Sequence, residues 1–166
     1  EHVIGPGGKG SNQSVAVAKA GGKVNFISKI GNDPYGEMAL QMYKESNVDI
    51  SNVIISKDYK TGAAGILVNK QTGENAITVV PGAAGKITKE DIDQASDTIK
   101  QSSIFLTQLE VPLEVVEYAI EIAKSNNVTT ILNPGPAAKL QDKTFKLIDY
   151  FTPNETEASF YVNHKV

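Results

Sequence analysis

The chain has 166 residues, a formal net charge of −3 and a 40% hydrophobic share, which bounds it to one ordinary domain with a real core and argues against disorder. Without cysteine it holds neither a disulfide framework nor a thiolate zinc site. No basic stripe appears, so no nucleic-acid partner is expected, and no apolar run approaches the length of a membrane span.

Glu1-His2-Val3-Ile4 shows no signal-peptide pattern, and the absence of thiols is compatible with a cytoplasmic location. Gly7-Gly8-Lys9-Gly10-Ser11-Asn12-Gln13 follows, ahead of an apolar, alanine-rich run to Ala20. Glycine lets the backbone take positive φ and approach a ligand closely. Ser11 or Asn12 can cap the next helix, predicted over 13–20 and ended by Gly21-Gly22. Its first-turn N–H groups then face the loop, which suits a polar, hydroxyl-rich or anionic ligand. A plain turn before a helix is the alternative. The spacing is not that of a Walker A loop.

Alternation over 24–30 predicts a mostly buried strand. Gly31-Asn32-Asp33-Pro34 breaks it, with Asp33 as N-cap and Pro34 as first residue of a helix over 34–46. Met38, Met42 and Tyr43 fall near one face of that helix, as core filler. From 53 to 80 the character changes to strand segments at 53–55, 61–68 and 75–80, the last two joined as a hairpin by 69–74. The stretch reads as antiparallel and partly buried, either a flap over a larger body or an edge hairpin. Thr88 caps a helix predicted over 89–100. Strand 104–106, helix 112–126, strand 129–132 and strand 149–151 then follow at the spacing of a parallel sheet with crossovers.

Polar residues gather just after these strands: Gln108-Leu109-Glu110, Asn133-Pro134-Gly135-Pro136 and Thr152-Pro153-Asn154-Glu155-Thr156-Glu157. Ligands of open parallel sheets bind beyond the carboxyl ends of the strands. Glu110 has two readings, a partner of a helix dipole or an acceptor for substrate hydroxyls. Asn154 and Glu157 either cap the last helix or hold a hydrated magnesium ion. Lys9 is either solvated or a donor to sugar hydroxyls. His2 and His164 have no partners at metal-ligand spacing and read as incidental. No G-x-S-x-G stretch offers a covalent nucleophile.

Gly7 to Ala16 resembles the N-terminal signature of the ribokinase-like (phosphofructokinase-B) carbohydrate kinases, where G-G-K-G-A-N-Q-A is usual. Ile30 to Gly36 resembles that family's G-x-D-x-x-G turn. Gln108-Leu109-Glu110, Asn133 to Ala137 and Thr152 to Ala158 resemble its later blocks, in the right order and across nearly the whole chain.

The resemblance implies an α/β, parallel-sheet, three-layer fold with a small antiparallel lid around 53–82, covering residues 1–166 and incomplete at both ends. It implies transfer of phosphate from ATP, with Mg2+ and a monovalent cation such as K+, to the 5-hydroxyl of D-ribose. Gly8, Lys9, Asn12 and Glu110 would hold sugar hydroxyls, Asn154 would serve the nucleotide phosphates and Glu157 the magnesium. The lid would cover the sugar and pair with a second subunit's lid in a homodimer. Family members are longer; an initial strand is expected before Glu1, and a G-A-G-D block carrying the catalytic aspartate is expected beyond Val166. The fragment alone is therefore expected to be inactive. A kinase for another furanose, a ketose sugar acid or a nucleoside, and a non-catalytic sugar-binding or interaction module, are the alternatives. Ala84, where asparagine is common after Gly-Ala, bears on sugar specificity.

Overall fold

A computed structural model describes residues 3–166; the reading of His2 lies outside the described residues. Helix α1 (Lys9–Lys19) and helix α2 (Pro34–Glu45) flank strand β1 (Ser28–Gly31), which pairs in parallel with β2 (Val53–Ser56), Ser28 opposite Val53. Strands β3 (Ala63–Val68) and β4 (Asn75–Val80) form an antiparallel hairpin, Ala63 opposite Val80. A 3-10 turn (Gly82–Lys86) leads to α3 (Lys89–Gln94) and α4 (Ser96–Gln101). Then come β5 (Ile104–Thr107), α5 (Leu113–Ser125), β6 (Thr129–Leu132), the short α6 (Asp142–Phe145), β7 (Tyr150–Phe151) and α7 (Glu155–Val162). Strands β5, β6 and β7 lie side by side, all parallel.

The expected parallel sheet and antiparallel hairpin are both present, with two corrections. Strand β2 does not belong with the hairpin: it pairs with β1, so antiparallel pairing is confined to β3 and β4. The helix expected over 89–100 is also two helices, broken at Ala95 (φ −95°, ψ 1°), an arrangement that keeps Ile92, Ala95 and Ile99 all buried. Thr88 caps it as expected, and Asp91 completes the capping box. The same Asp91 Oδ2 takes the Lys29 ammonium at 2.7 Å, tying α3 to β1.

Helix α5 forms the centre of the core because its sequence is apolar on two sides. Val115, Ala119 and Ala123 face Ile87, Ile92, Ile99 and Val128, while Val116 and Ile120 face Leu109, Leu132 and Leu140. Each large aliphatic side chain buried this way stabilises the fold by roughly 1.5–3 kcal/mol. Helices α2 and α5 end alike, on an asparagine in the left-handed region (Asn47, φ 58°; Asn127, φ 60°). The next residue, Val48 or Val128, donates back to Tyr43 O or Ala123 O and is itself buried. That is a Schellman stop with asparagine in place of glycine.

Candidate active site

Helix α1 starts four residues earlier than its apolar pattern predicts, at Lys9. Ser11 and Asn12 therefore lie inside the helix and cap nothing. Gly8 is the N-cap, with φ 94° and ψ 138°, a conformation glycine adopts without strain, and no side chain of its own to offer. The acceptor comes instead from the end of β5: Lys9 N donates to Glu110 Oε2 at 2.8 Å. A carboxylate accepting at the positive end of a helix makes a strong, charge-assisted bond. It fixes the glycine-lysine loop against the carboxyl end of the sheet.

The three strand ends are laced together. Leu109 N donates to Gly135 O at 3.2 Å, Asn133 N to Thr107 O at 3.0 Å, and Asn133 Nδ2 to Thr152 O at 3.0 Å. Gln108 Nε2 donates to Gln13 Oε1, a second tie between the β5 end and α1. Gly135 sits under both remaining charged groups. A β-carbon there would lie 2.5 Å from Glu157 Oε1 and 3.1 Å from Lys9 Nζ. Lys9, Glu110, Gly135 and Glu157, brought from four parts of the chain, thus converge on one rim.

At α7 the capping reading of Asn154 is realised. Asn154 Oδ1 accepts from Glu157 N at 2.8 Å, and Glu157 Oε2 accepts from Asn154 N at 2.9 Å. Glu157 is buried, with Oε1 toward Gly135 and Lys9. Asn12 stands one turn beyond Lys9 with its residue exposed, its backbone N bonded to Gly8 O. His164 is exposed, its ring Nδ1 2.9 Å from Val162 O. Among the described residues no three histidine or acidic side chains gather as a metal cage. Sequence reasoning did not single out Gln13 and Gln108; their only signal is membership of the Gly-Lys and Gln-Leu-Glu stretches.

A groove of about 550 Å³ runs from this rim to the foot of the hairpin, with Glu110, Pro112, Tyr59, Thr61 and Pro81 among its walls. Ammonium groups only donate, carboxylates only accept, and amides do both. The Lys9 ammonium with the Glu110 and Glu157 carboxylates supplies both donors and acceptors, which matches the hydroxyl, a group that does both.

The pfkB family carbohydrate kinase model matches residues 1–166. The ribokinase of Staphylococcus aureus (strain COL) is 42% identical over 160 residues, which are 96% of this chain and 52% of that protein. The ribokinase structure from Thermotoga maritima is 37% identical with a TM-score of 0.84, over 99% of this chain and 54% of that one. An Arabidopsis thaliana ribokinase complexed with ribose and ATP is 26% identical with a TM-score of 0.84, over 92% of this chain and 50% of that one. The chain spans about half the length of the relatives it matches. The family model spans all 166 residues and the fold agrees with it, and the chain belongs to the pfkB family of carbohydrate kinases.

Proposed function

We propose that this chain is the sugar-holding part of a ribokinase, which transfers phosphate from ATP to the 5-hydroxyl of D-ribose. The observation that carries the reading is the bond from Lys9 N to Glu110 Oε2, which joins the Gly-Lys loop to the β5 end and gathers donors and acceptors for hydroxyls at one rim. The likeness to ribokinases at 42% identity supports the choice of ribose. Lys9 and Asn12 donate to sugar hydroxyls, Glu110 accepts with Oε1, and Gly8 leaves room for the ring. Holding the acceptor in place is most of what such an enzyme contributes, because phosphoryl transfer depends on positioning and charge stabilisation. The reading assigns removal of the hydroxyl proton to an aspartate outside these 166 residues, since no G-A-G-D block occurs in them.

Magnesium, when bound, neutralises charge on the phosphates. One buried carboxylate with an oxygen to spare fits a hydrated magnesium, which keeps several waters and needs one or two protein carboxylates. Glu157 would hold the ion, and the Asn154 amide would donate toward phosphate. The hairpin excludes water from the groove. Its apolar side chains Ile66, Leu67, Ile77 and Val79 are all more than half exposed, which supports pairing with the hairpin of a second copy. The same reading places the enzyme in the cytoplasm. Among the described residues no helix is long and apolar enough to cross a membrane.

A coupled ATPase assay on the full-length enzyme tests the acceptor. Ribose should turn over far faster than fructose or adenosine; equal rates would overturn the assignment. Glu110→Gln should raise the KM for ribose about tenfold or more and leave the KM for ATP within twofold.

A further inference from the structure

The turn from Gly31 to Gly36 takes no part in the rim described above. Its Asp33 uses its two carboxylate oxygens on two different elements. Oδ1 accepts from Gly36 N at 2.9 Å and caps α2. Oδ2 accepts from Thr61 N at 2.7 Å, in the segment that leads into the hairpin. Thr61 reciprocates, its Oγ1 accepting from Gly31 N at 2.9 Å. The other foot of the hairpin is tied alongside, Ala83 N donating to Lys60 O at 2.7 Å. No side chain fits between these backbones: a β-carbon on Gly31 would lie 2.5 Å from both Asp33 Oδ2 and Thr61 N. Beyond its feet the hairpin is uncovered among the described residues, every residue of β3 and β4 being exposed. Among the described residues, the hydrogen bonds that tie residues 60–82 to the body run through Thr61 and Lys60, beside those of the 3-10 turn that begins at Gly82.

We infer that Asp33 is the clamp of the hairpin, a positioning residue that acts through Thr61 to set how β3 and β4 stand over the groove. One carboxylate joins the start of α2, packed on the body through Tyr43, to one foot of the hairpin, while the other foot runs into the 3-10 turn through the buried Ala83. Both bonds favour the ionised form and hold Asp33 below the usual carboxylate range, the bond from Thr61 N first. The effect on a bound acceptor rests on the ribokinase reading; the clamp itself does not.

Asp33→Asn separates the two bonds. Asparagine is as good an N-cap as aspartate, so one carbonyl oxygen keeps Gly36 N satisfied. The second oxygen becomes an NH2 group, which sets a donor against the Thr61 N–H. Residue-resolved hydrogen exchange on the whole protein reads the outcome. The amides of Thr61, Gly31 and Ala83 should exchange about tenfold faster or more, while those of Gly36 and α2 stay within about twofold. Unchanged exchange at Thr61 and Gly31, or acceleration confined to Gly36 and α2, would overturn the clamp. Thr61→Ala provides a second route should Asp33→Asn fail to fold: it should free the Gly31 amide, and Thr61→Ser should restore it. Equal Gly31 exchange in the alanine and serine variants would count against the clamp. In the kinase assay, Asp33→Asn should raise the KM for the acceptor with kcat within about twofold. Faster exchange with an unaltered acceptor KM would keep the clamp and remove its link to the ligand.

Discussion

Leu132, at the centre of the β5–β6–β7 sheet, is fully buried, while the equally aliphatic Leu67 on the β3–β4 hairpin is three-quarters exposed. Both stand on regular, fully paired ladders. Backbone pairing alone therefore does not distinguish the two regions; what differs is the cover over the side chains. The body is held by burial against α5 on both of its apolar sides. The hairpin is held by its own ladder and by its feet, and an isolated two-stranded hairpin is marginal in water. Apolar side chains kept in the open on such an element fit surfaces meant to meet a ligand or another chain.

The sharpest way to break this contrast is a matched pair of truncations. Leu132→Ala should cost about 2–5 kcal/mol in urea unfolding, because it removes apolar contact and leaves a cavity. Ile66→Ala, measured where the protein is monomeric, should stay within about 0.5 kcal/mol. Equal costs would mean that the hairpin packs on something within its own chain.

A smaller effect is expected from the polar network inside the body. Glu117 is buried on α5 and accepts from Thr144 Oγ1 at 2.8 Å, Gln141 Nε2 at 3.0 Å and Gln141 N at 3.3 Å. Glu117→Ala strands a buried hydroxyl and should cost about 1–3 kcal/mol by the same measurement. A neutral result would show that the α5–α6 contact is set by its apolar residues alone.

The pH dependence of the body sharpens the contrast further. The Lys124 ammonium, followed by the Thr130 backbone N–H, holds the Asp149 carboxyl down to about 2. A carboxylate lowered on folding stabilises the protein above its unfolded pKa, about 3.9, and loses that contribution as pH falls toward the folded value. Stability should therefore drop between about pH 4 and 2, and Asp149→Asn should flatten that limb of a urea-midpoint profile. An unchanged profile would assign the acid sensitivity elsewhere.

The mildest expected change is at Ser11, whose hydroxyl is buried and, among the described residues, without a hydrogen-bond partner. Ser11→Ala should leave stability unchanged or raise it by up to about 1 kcal/mol. A clear loss in thermal unfolding would show that the hydroxyl has a partner in solution.

Local chemistry announced much of this architecture. Asp33 and Pro34 start α2, Thr88 with Asp91 starts α3, and Asn154 with Glu157 starts α7, all from short-range patterns that the backbone obeys. Strand β6 has the bounds its apolar run predicts. What local pattern could not reveal depends on partners distant in sequence. Lys9 opens α1 because Glu110 supplies an acceptor, and no window around Lys9 contains that glutamate. Strand β2 carries no mark of whether it pairs with β1 or with the hairpin beside it in sequence. The split at Ala95 and the short α6 likewise answer to packing on α5. For the rim, the order of motifs named Lys9, Glu110 and Glu157; only the fold shows that Gly135 lies against both the Lys9 and the Glu157 side chains.

The remote cap on α1 also shapes how the protein is made. Lys9 leaves the ribosome 101 residues before the glutamate that its amide needs. At ordinary translation speed that interval is roughly 5 to 20 s, far longer than any helix takes to form. The start of α1 is thus secured only after β5 has been made, and a nascent chain halted before β5 carries this helix without the acceptor for its first amide.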